Sequence, residues 1–240
     1  MALRQHVKHV TRFAGLDVRR YDARSEVGRR LPPLLERLGV RHVIDVGANV
    51  GQFAALLREE VDFHGRIDSF EPVGATFQEL AASRNGDPSW YGHHAAVTSS
   101  AGSLTMNVYP HSVYNSVTGT TAVGARVFGA GGTAMSTEDV PGVRLDDAEM
   151  PDLGPVYLKI DTQGHDWSVM AGAPETLRRV VMLSMELSFV PMYEESVAVW
   201  ESLRRLDELG FGLAYLDETV CPADDPLRIG EGDGYFVRKK

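Results

Sequence analysis

Asp161, His165 and Asp166 stand within one short turn, Asp161-Thr162-Gln163-Gly164-His165-Asp166. The grouping suits proton transfer. Histidine titrates near neutrality, so it can take a proton from a hydroxyl that attacks an electrophile. A positioned base of this kind contributes roughly 10²–10⁴-fold to a rate. His165 is therefore the first candidate base, with Asp161 and Asp166 beside it. A metal is the other way to activate a hydroxyl. Asp161, Asp166 and Glu186 offer the hard oxygen ligands that suit Mg²⁺, and a bound ion would lower the hydroxyl pKa. A plainer reading leaves His165 bonding locally at a helix start. Asp161 then orients a ligand or the turn, and Asp166 caps the following helix.

A second constellation lies in Val43-Ile44-Asp45-Val46-Gly47-Ala48-Asn49-Val50-Gly51. An apolar run ends in a carboxylate, breaks into small residues and leads into the amphipathic segment Gln52–Arg58. This predicts a buried parallel strand, a glycine loop and a helix. Glycines admit a ligand where a Cβ would clash, and a helix start offers free N–H groups. The spacing is neither the G-x-G-x-x-G of dinucleotide sites nor a phosphate-binding P-loop. An acid at the loop mouth repels phosphate and suits a cation. S-adenosylmethionine (SAM) carries a sulfonium and an ammonium and no phosphate, so it is the expected cofactor. The segment Arg66–Pro72 reads as the next strand, with Glu71 at its end. An acid in that place takes ribose hydroxyls, and Pro72 stops the strand. Asp45, Gly47, Asn49, Gly51, Glu71, Pro72 and Asp161 are the expected cofactor contacts.

The elements that must position these residues alternate between strand and helix. Helices are expected over Ser25–Leu38, Ala75–Arg84 and Val197–Leu209, and strands over Trp90–Val97, Val156–Asp161, Val180–Leu187, Phe211–Leu216 and Gly234–Arg238. Ser103–Tyr109 reads as an extended segment. The alternation implies a doubly wound sheet in one domain, with residues 1–39 as a helical extension and 40–240 as the core. Residues 110–142 have weak periodicity and read as a long functional loop. Tyr114, Asn115 and Ser116 within it are candidate acceptor contacts. His93 and His94, as neighbours in a strand, face opposite sides and cannot act as a ligand pair. Structural roles are expected for both.

The 240 residues carry 24 basic and 33 acidic side chains, a formal charge of -9. That balance argues against nucleic acid as the main partner. One cysteine, Cys221, excludes an internal disulfide and fits a reducing cytoplasm. No apolar run is long enough to span a bilayer. The N-terminal stretch is locally basic, with Arg4, Lys8, Arg12, Arg19 and Arg20 among its charges. It reads as a helix with its basic face in water, or as a peripheral membrane contact.

The pieces Ile44–Gly51, Ser69-Phe70-Glu71-Pro72 and Leu158-Lys159-Ile160-Asp161-Thr162-Gln163-Gly164 resemble the FkbM-type SAM-dependent methyltransferases. So do Tyr114-Asn115-Ser116-Val117 and Arg144-Leu145-Asp146-Asp147. The resemblance covers roughly residues 40–190. It implies an α/β, Rossmann-like class I methyltransferase fold: a mostly parallel seven-stranded sheet with helices on both faces. It also implies O-methylation of a small hydroxylated acceptor, a sugar, glycolipid or polyketide-type natural product. The chain departs from the family pattern at His165-Asp166, where a small or apolar residue and then Glu are usual. The rival readings are an oxidoreductase linked to NAD or a nucleotide sugar, which the missing third glycine disfavours, and a noncatalytic SAM-binding module. A homo-oligomer is open.

Overall fold

The computed structural model describes residues 26–220 and 229–240. The predicted N-terminal basic helix and Cys221 lie outside the described residues. The chain enters on α1 (Glu26–Leu38), followed by β1 (His42–Val46), α2 (Gln52–Glu59), β2 (Arg66–Phe70), α3 (Gly74–Ser83) and β3 (Trp90–His93). A small excursion holds β4 (Ala96–Val97), β5 (Gly102–Val108), α4 (Ala122–Phe128) and β6 (Ser136–Val143). The main sheet resumes with β7 (Val156–Ile160), α5 (Asp166–Ala171), α6 (Pro174–Arg179), β8 (Val180–Ser188), α7 (Val199–Glu208), β9 (Phe211–Val220) and β10 (Glu231–Arg238).

Seven strands form one sheet in the order β3-β2-β1-β7-β8-β10-β9. The first five of these run parallel, and β10 is antiparallel to both β8 and β9. The central strands are apolar runs because both faces are covered. Ile44, Leu158 and Leu183 meet α5, α6 and α7 residues such as Val169, Leu177 and Leu206. On the other face Val43, Tyr157 and Met182 meet Leu31 and Leu35 of α1 and Ala54 and Leu57 of α2. Each such aliphatic side chain contributes roughly 1.5–3 kcal/mol by leaving water. Among the described residues no helix is long and apolar enough to cross a membrane.

The mostly parallel seven-stranded sheet with helices on both faces matches the α/β expectation, with two corrections. The expected strand Trp90–Val97 divides: β3 stays in the main sheet, and β4 leaves it to pair with β6. Residues 110–142 are not one loop. They include α4 and most of β6, whose antiparallel pairing with β5 and parallel pairing with β4 make a second, three-stranded sheet. That sheet is hard to see in the sequence because one of its faces is solvated and β6 carries Pro141 and Gly142. Such residues mark edges and bulges when a strand is read alone.

Candidate active site

The glycine loop closes on itself. Gly47 and Gly51 have φ of 75° and 93°, and Asn49 has φ of 50°, so three left-handed residues turn the chain sharply from β1 into α2. Gly47 has no alternative side chain, because a Cβ there would lie 1.8 Å from the Asp161 carbonyl oxygen. Every amide of the loop is taken. Gly47 and Ala48 donate to the Phe70 carbonyl at 3.1 and 3.0 Å, and Gly51 donates to the Ala48 carbonyl at 2.9 Å. Asn49 donates to Glu71 Oε2 at 3.0 Å, and Val50 donates to Asn49 Oδ1 at 2.8 Å. No N–H between residues 47 and 51 is left for a phosphate.

Glu71 is fixed at the end of β2 by that same turn. Its Oε1 accepts from Val73 N–H at 2.9 Å, and its Oε2 from Asn49 N–H. Each oxygen keeps a lone pair for a further donor. Burial pushes its pKa up to about 7, against the two backbone hydrogen bonds that favour the carboxylate.

Asp45 does not stand at the loop mouth. It is fully buried, does not line the cavity, and lies 3.1 Å from the ammonium of Lys159 on the neighbouring strand. Ser69 donates to its other oxygen at 3.3 Å. The register explains the pairing, since Asp45, Ser69 and Lys159 are direct cross-strand partners on one face. The Lys159 ammonium also donates to the Gly47 carbonyl at 3.0 Å and lies 3.3 Å from Asp161 Oδ2. Its pKa is raised by the two acids, although burial alone would lower it. A lone cation in the apolar strand Val156–Ile160 was the signal for this role, and sequence reasoning passed over it.

The turn after β7 sorts the remaining candidates. Asp161 lines the cavity with 42% of its side chain exposed. Gln163 Nε2 donates to its Oδ1 at 2.7 Å. Asp166 opens α5 away from the cavity, and its Oδ1 accepts from Thr162 N–H and Oγ1–H at 3.1 and 2.8 Å. It ties the turn, and burial raises its pKa to about 6. His165 reaches the cavity wall, but neither ring nitrogen opens into it. Nε2 lies 3.2 Å from Thr98 Oγ1, while Nδ1 is buried without a hydrogen bond, 3.7 Å from Glu195. Burial lowers the imidazole's pKa. The structure thus sets His165 as packing at the helix start rather than as a presented base. Asp161, Asp166 and Glu186 are not gathered into a metal centre either. Among the described residues no three His, Cys, Asp or Glu side chains are placed to share an ion.

The strap after β5 divides as well. Asn115 lines the cavity, its Oδ1 accepting from Tyr109 N–H at 2.9 Å. Tyr114 stacks on Phe128 at 4.3 Å instead. Ser116 is buried and donates to the Gln163 carbonyl at 2.6 Å, pinning the strap to the β7–α5 turn. Ser112 and Val113, which sequence reasoning missed, face the cavity, and Ser112 Oγ donates to Asn49 Oδ1 at 3.0 Å. His93 meets buried Asp68 at 2.7 Å, and His94 stacks on Phe77 at 4.8 Å. Both histidines make structural contacts, as expected.

These residues enclose a cavity of about 360 Å³ over the C-terminal ends of the parallel strands, within the size range of small-molecule sites. One side is walled by Phe70, Ala96, Val97 and Met106, and the other by Phe53, Lys159, Ser184, Asp233 and Tyr235. The profile of the methyltransferase FkbM domain matches residues 45–213. The chain belongs to the FkbM methyltransferase family.

The match is to a methyltransferase domain. A search of curated proteins finds no match. Among solved structures, the chain is similar to a methyltransferase FkbM from Methylobacillus flagellatus, at 15% identity and a TM-score of 0.49. That likeness covers 82% of this chain and 44% of the other, so the chain spans less than half the length of that relative. A SAM-dependent methyltransferase from Aquifex aeolicus is similar at 13% identity and a TM-score of 0.45, over 90% of this chain and 94% of the other. Fibrillarin from Aeropyrum pernix, with SAM bound, is similar at 13% identity and a TM-score of 0.43, over 83% and 66%.

Proposed function

We propose that this FkbM enzyme methylates a hydroxyl of a small acceptor, a glycoside, glycolipid or polyketide-type product. The observation that carries the cofactor half of the reading is the glycine loop and Glu71 together. The loop amides are all satisfied internally, which disfavours a pyrophosphate and hence the NAD-linked alternative. Glu71 is held at the cavity edge with lone pairs free for a ribose diol. When bound, SAM supplies a methyl group on a cationic sulfur. Gly47, Asn49, Glu71 and Pro72 would hold it, with Phe70 and Val97 against its adenine; Gly51 is off the cavity, packed against Trp90 and Leu80, and shapes the turn instead. Asp45 supports the site from behind through Lys159.

The chain's remaining task is to orient an alcohol and receive its proton. As the new C–O bond forms, the hydroxyl proton becomes strongly acidic, so a carboxylate suffices as acceptor. Asp161 is a carboxylate that lines the cavity. Lys159 and Gln163 hold its two oxygens in place. Such positioning is worth more than basicity, since well-oriented reactants gain on the order of 7–11 kcal/mol. Serine, threonine and amide groups on the walls, including Ser112 and Asn115, suit a hydroxylated acceptor.

Two measurements test this. S-adenosylhomocysteine, the demethylated cofactor, should raise the melting temperature and NAD should not; no shift with the former sinks the reading. With an acceptor in hand, Asp161→Asn should lower kcat roughly 10²–10⁴-fold with a smaller change in acceptor KM. An unchanged kcat removes Asp161 from this role.

A further inference from the structure

On the face of the sheet that carries Lys159, the strands beyond it hold a row of acids that outnumbers the one lysine nearby. Glu186 of β8 pairs directly with Asp233 of β10, which pairs in turn with Asp217 of β9. Like charges set opposite one another across a sheet are destabilising. Glu231 joins them from the same face of β10, two residues from Asp233. It is 2% exposed, and its Oε1 has no hydrogen-bond partner. The hydroxyl of Tyr193, a side chain 1% exposed, is likewise unpartnered. Among the described residues none of these acids forms an ion pair; Lys159 is the cation whose charge reaches Asp233, from across the cavity. Burial, aided by the charges of Asp161, Asp166 and the neighbouring acids, pushes Glu231 up to about 8 and Asp233 up to about 6 and raises Glu186 as well, while Lys159 pulls Asp233 the other way.

The row is not part of the glycine-loop site. β10 lies three strand spacings from β1, or about 14 Å. Lys159, the nearest cation, is already engaged by Asp45, Asp161 and the Gly47 carbonyl. Yet Asp233 lines the cavity alongside Lys159, Ser184 and Tyr235, so one end of the row opens into the space left for the acceptor. A shared metal ion is disfavoured by the spacing of the acids. An organic ammonium is not, because its three N–H donors need no fixed polyhedron.

We propose that Asp233, with Glu186 and Glu231 behind it, is a subsite for a cationic group of the acceptor, a protonated amine carried near the hydroxyl that is methylated. The inference rests on the methyl-transfer reading above and names its substrate class. An amine held among carboxylates stays protonated and has no lone pair, so the neighbouring hydroxyl is left as the nucleophile. A buried carboxyl without a partner, as at Glu231, is costly, and the incoming cation would offset that cost at the moment of binding.

The test uses the full chain saturated with S-adenosylhomocysteine. A panel of amino sugars and amino alcohols is titrated by calorimetry, each beside the neutral isostere with hydroxyl in place of ammonium. The best amine should bind at least about ten-fold tighter than its isostere. Asp233→Asn should cut that preference below about three-fold, and Glu231→Gln gives an independent second variant. Equal binding of amines and isosteres, no binding of any amine, or a preference that survives both substitutions would overturn the subsite. Equal binding would mean that the acids are neutralised by protons they share. Failure of S-adenosylhomocysteine itself to bind would instead count against the methyl-transfer reading.

Discussion

Lys159→Met is the sharpest probe of how the site is built. The ammonium lies 3.1 Å from Asp45 Oδ1, and Asp45 is fully buried. At that separation and an effective dielectric near 20, the attraction is about 5 kcal/mol. Desolvation of both groups offsets much of it. Removing only the lysine removes the attraction and keeps the desolvation of Asp45, a change that costs about 3–5 kcal/mol at buried pairs. For a chain of this size each kcal/mol moves the melting temperature by roughly 2–4 °C, so a fall of about 6–20 °C is expected. The pH dependence has a definite sign. Burial already raises the Asp45 pKa against the pull of Lys159, and without the cation it rises further. A carboxyl with a raised folded pKa binds its proton better folded than unfolded, so the variant loses stability as pH rises above about 4 toward that folded pKa. The deficit should therefore be smaller at pH 5 than at pH 8. Asp45→Asn added to Lys159→Met should recover a large part of the loss, because it removes the stranded charge. Thermal and urea unfolding at the two pH values make the measurement. A single variant within about 1 kcal/mol of the parent at pH 8, or a double variant no better than the single, would refute the pairing.

Three further outcomes follow from the same geometry. Gly47→Ala places a Cβ 1.8 Å from the Asp161 carbonyl oxygen and forces a left-handed alanine that costs about 1–2 kcal/mol; calorimetry should show lost S-adenosylhomocysteine binding together with a lower melting temperature. Glu71→Gln sets an amide N–H against one of the two backbone N–H groups now bound at 2.9 and 3.0 Å and should weaken S-adenosylhomocysteine roughly 10–100-fold. The parent's apo stability should also fall as pH rises from about 4.5 toward about 7, the window set by the raised Glu71 pKa, and this fall should be absent in Glu71→Gln. His165→Ala should keep kcat within about three-fold of the parent at saturating acceptor, because neither ring nitrogen opens into the cavity; a loss of a hundred-fold would restore histidine as the base.

What could be read without coordinates followed from local periodicity. The strands β1, β7 and β8 are largely apolar runs, and β2 is marked by the Glu71-Pro72 that closes it; their order along the chain and their type are legible from that. The excursion between β3 and β7 is not, because β4, β5 and β6 take their stability from one another across long separations. At the site, the positions of Gly47, Glu71 and Asp161 were legible, since each ends a strand. The role of Asp45 was not. Its carboxylate suited a cationic ligand by sign, but the cation it meets is Lys159, one strand over and over a hundred residues later. A charge at a strand end declares only that it needs an opposite charge, and register decides where that charge comes from. The same logic separates Asp45 from Asp233. Both are acids on one face of one sheet, but register gives Asp45 a lysine and gives Asp233 two more acids, Glu186 and Asp217. The first is complete within the fold. The second is left for something that arrives from outside it.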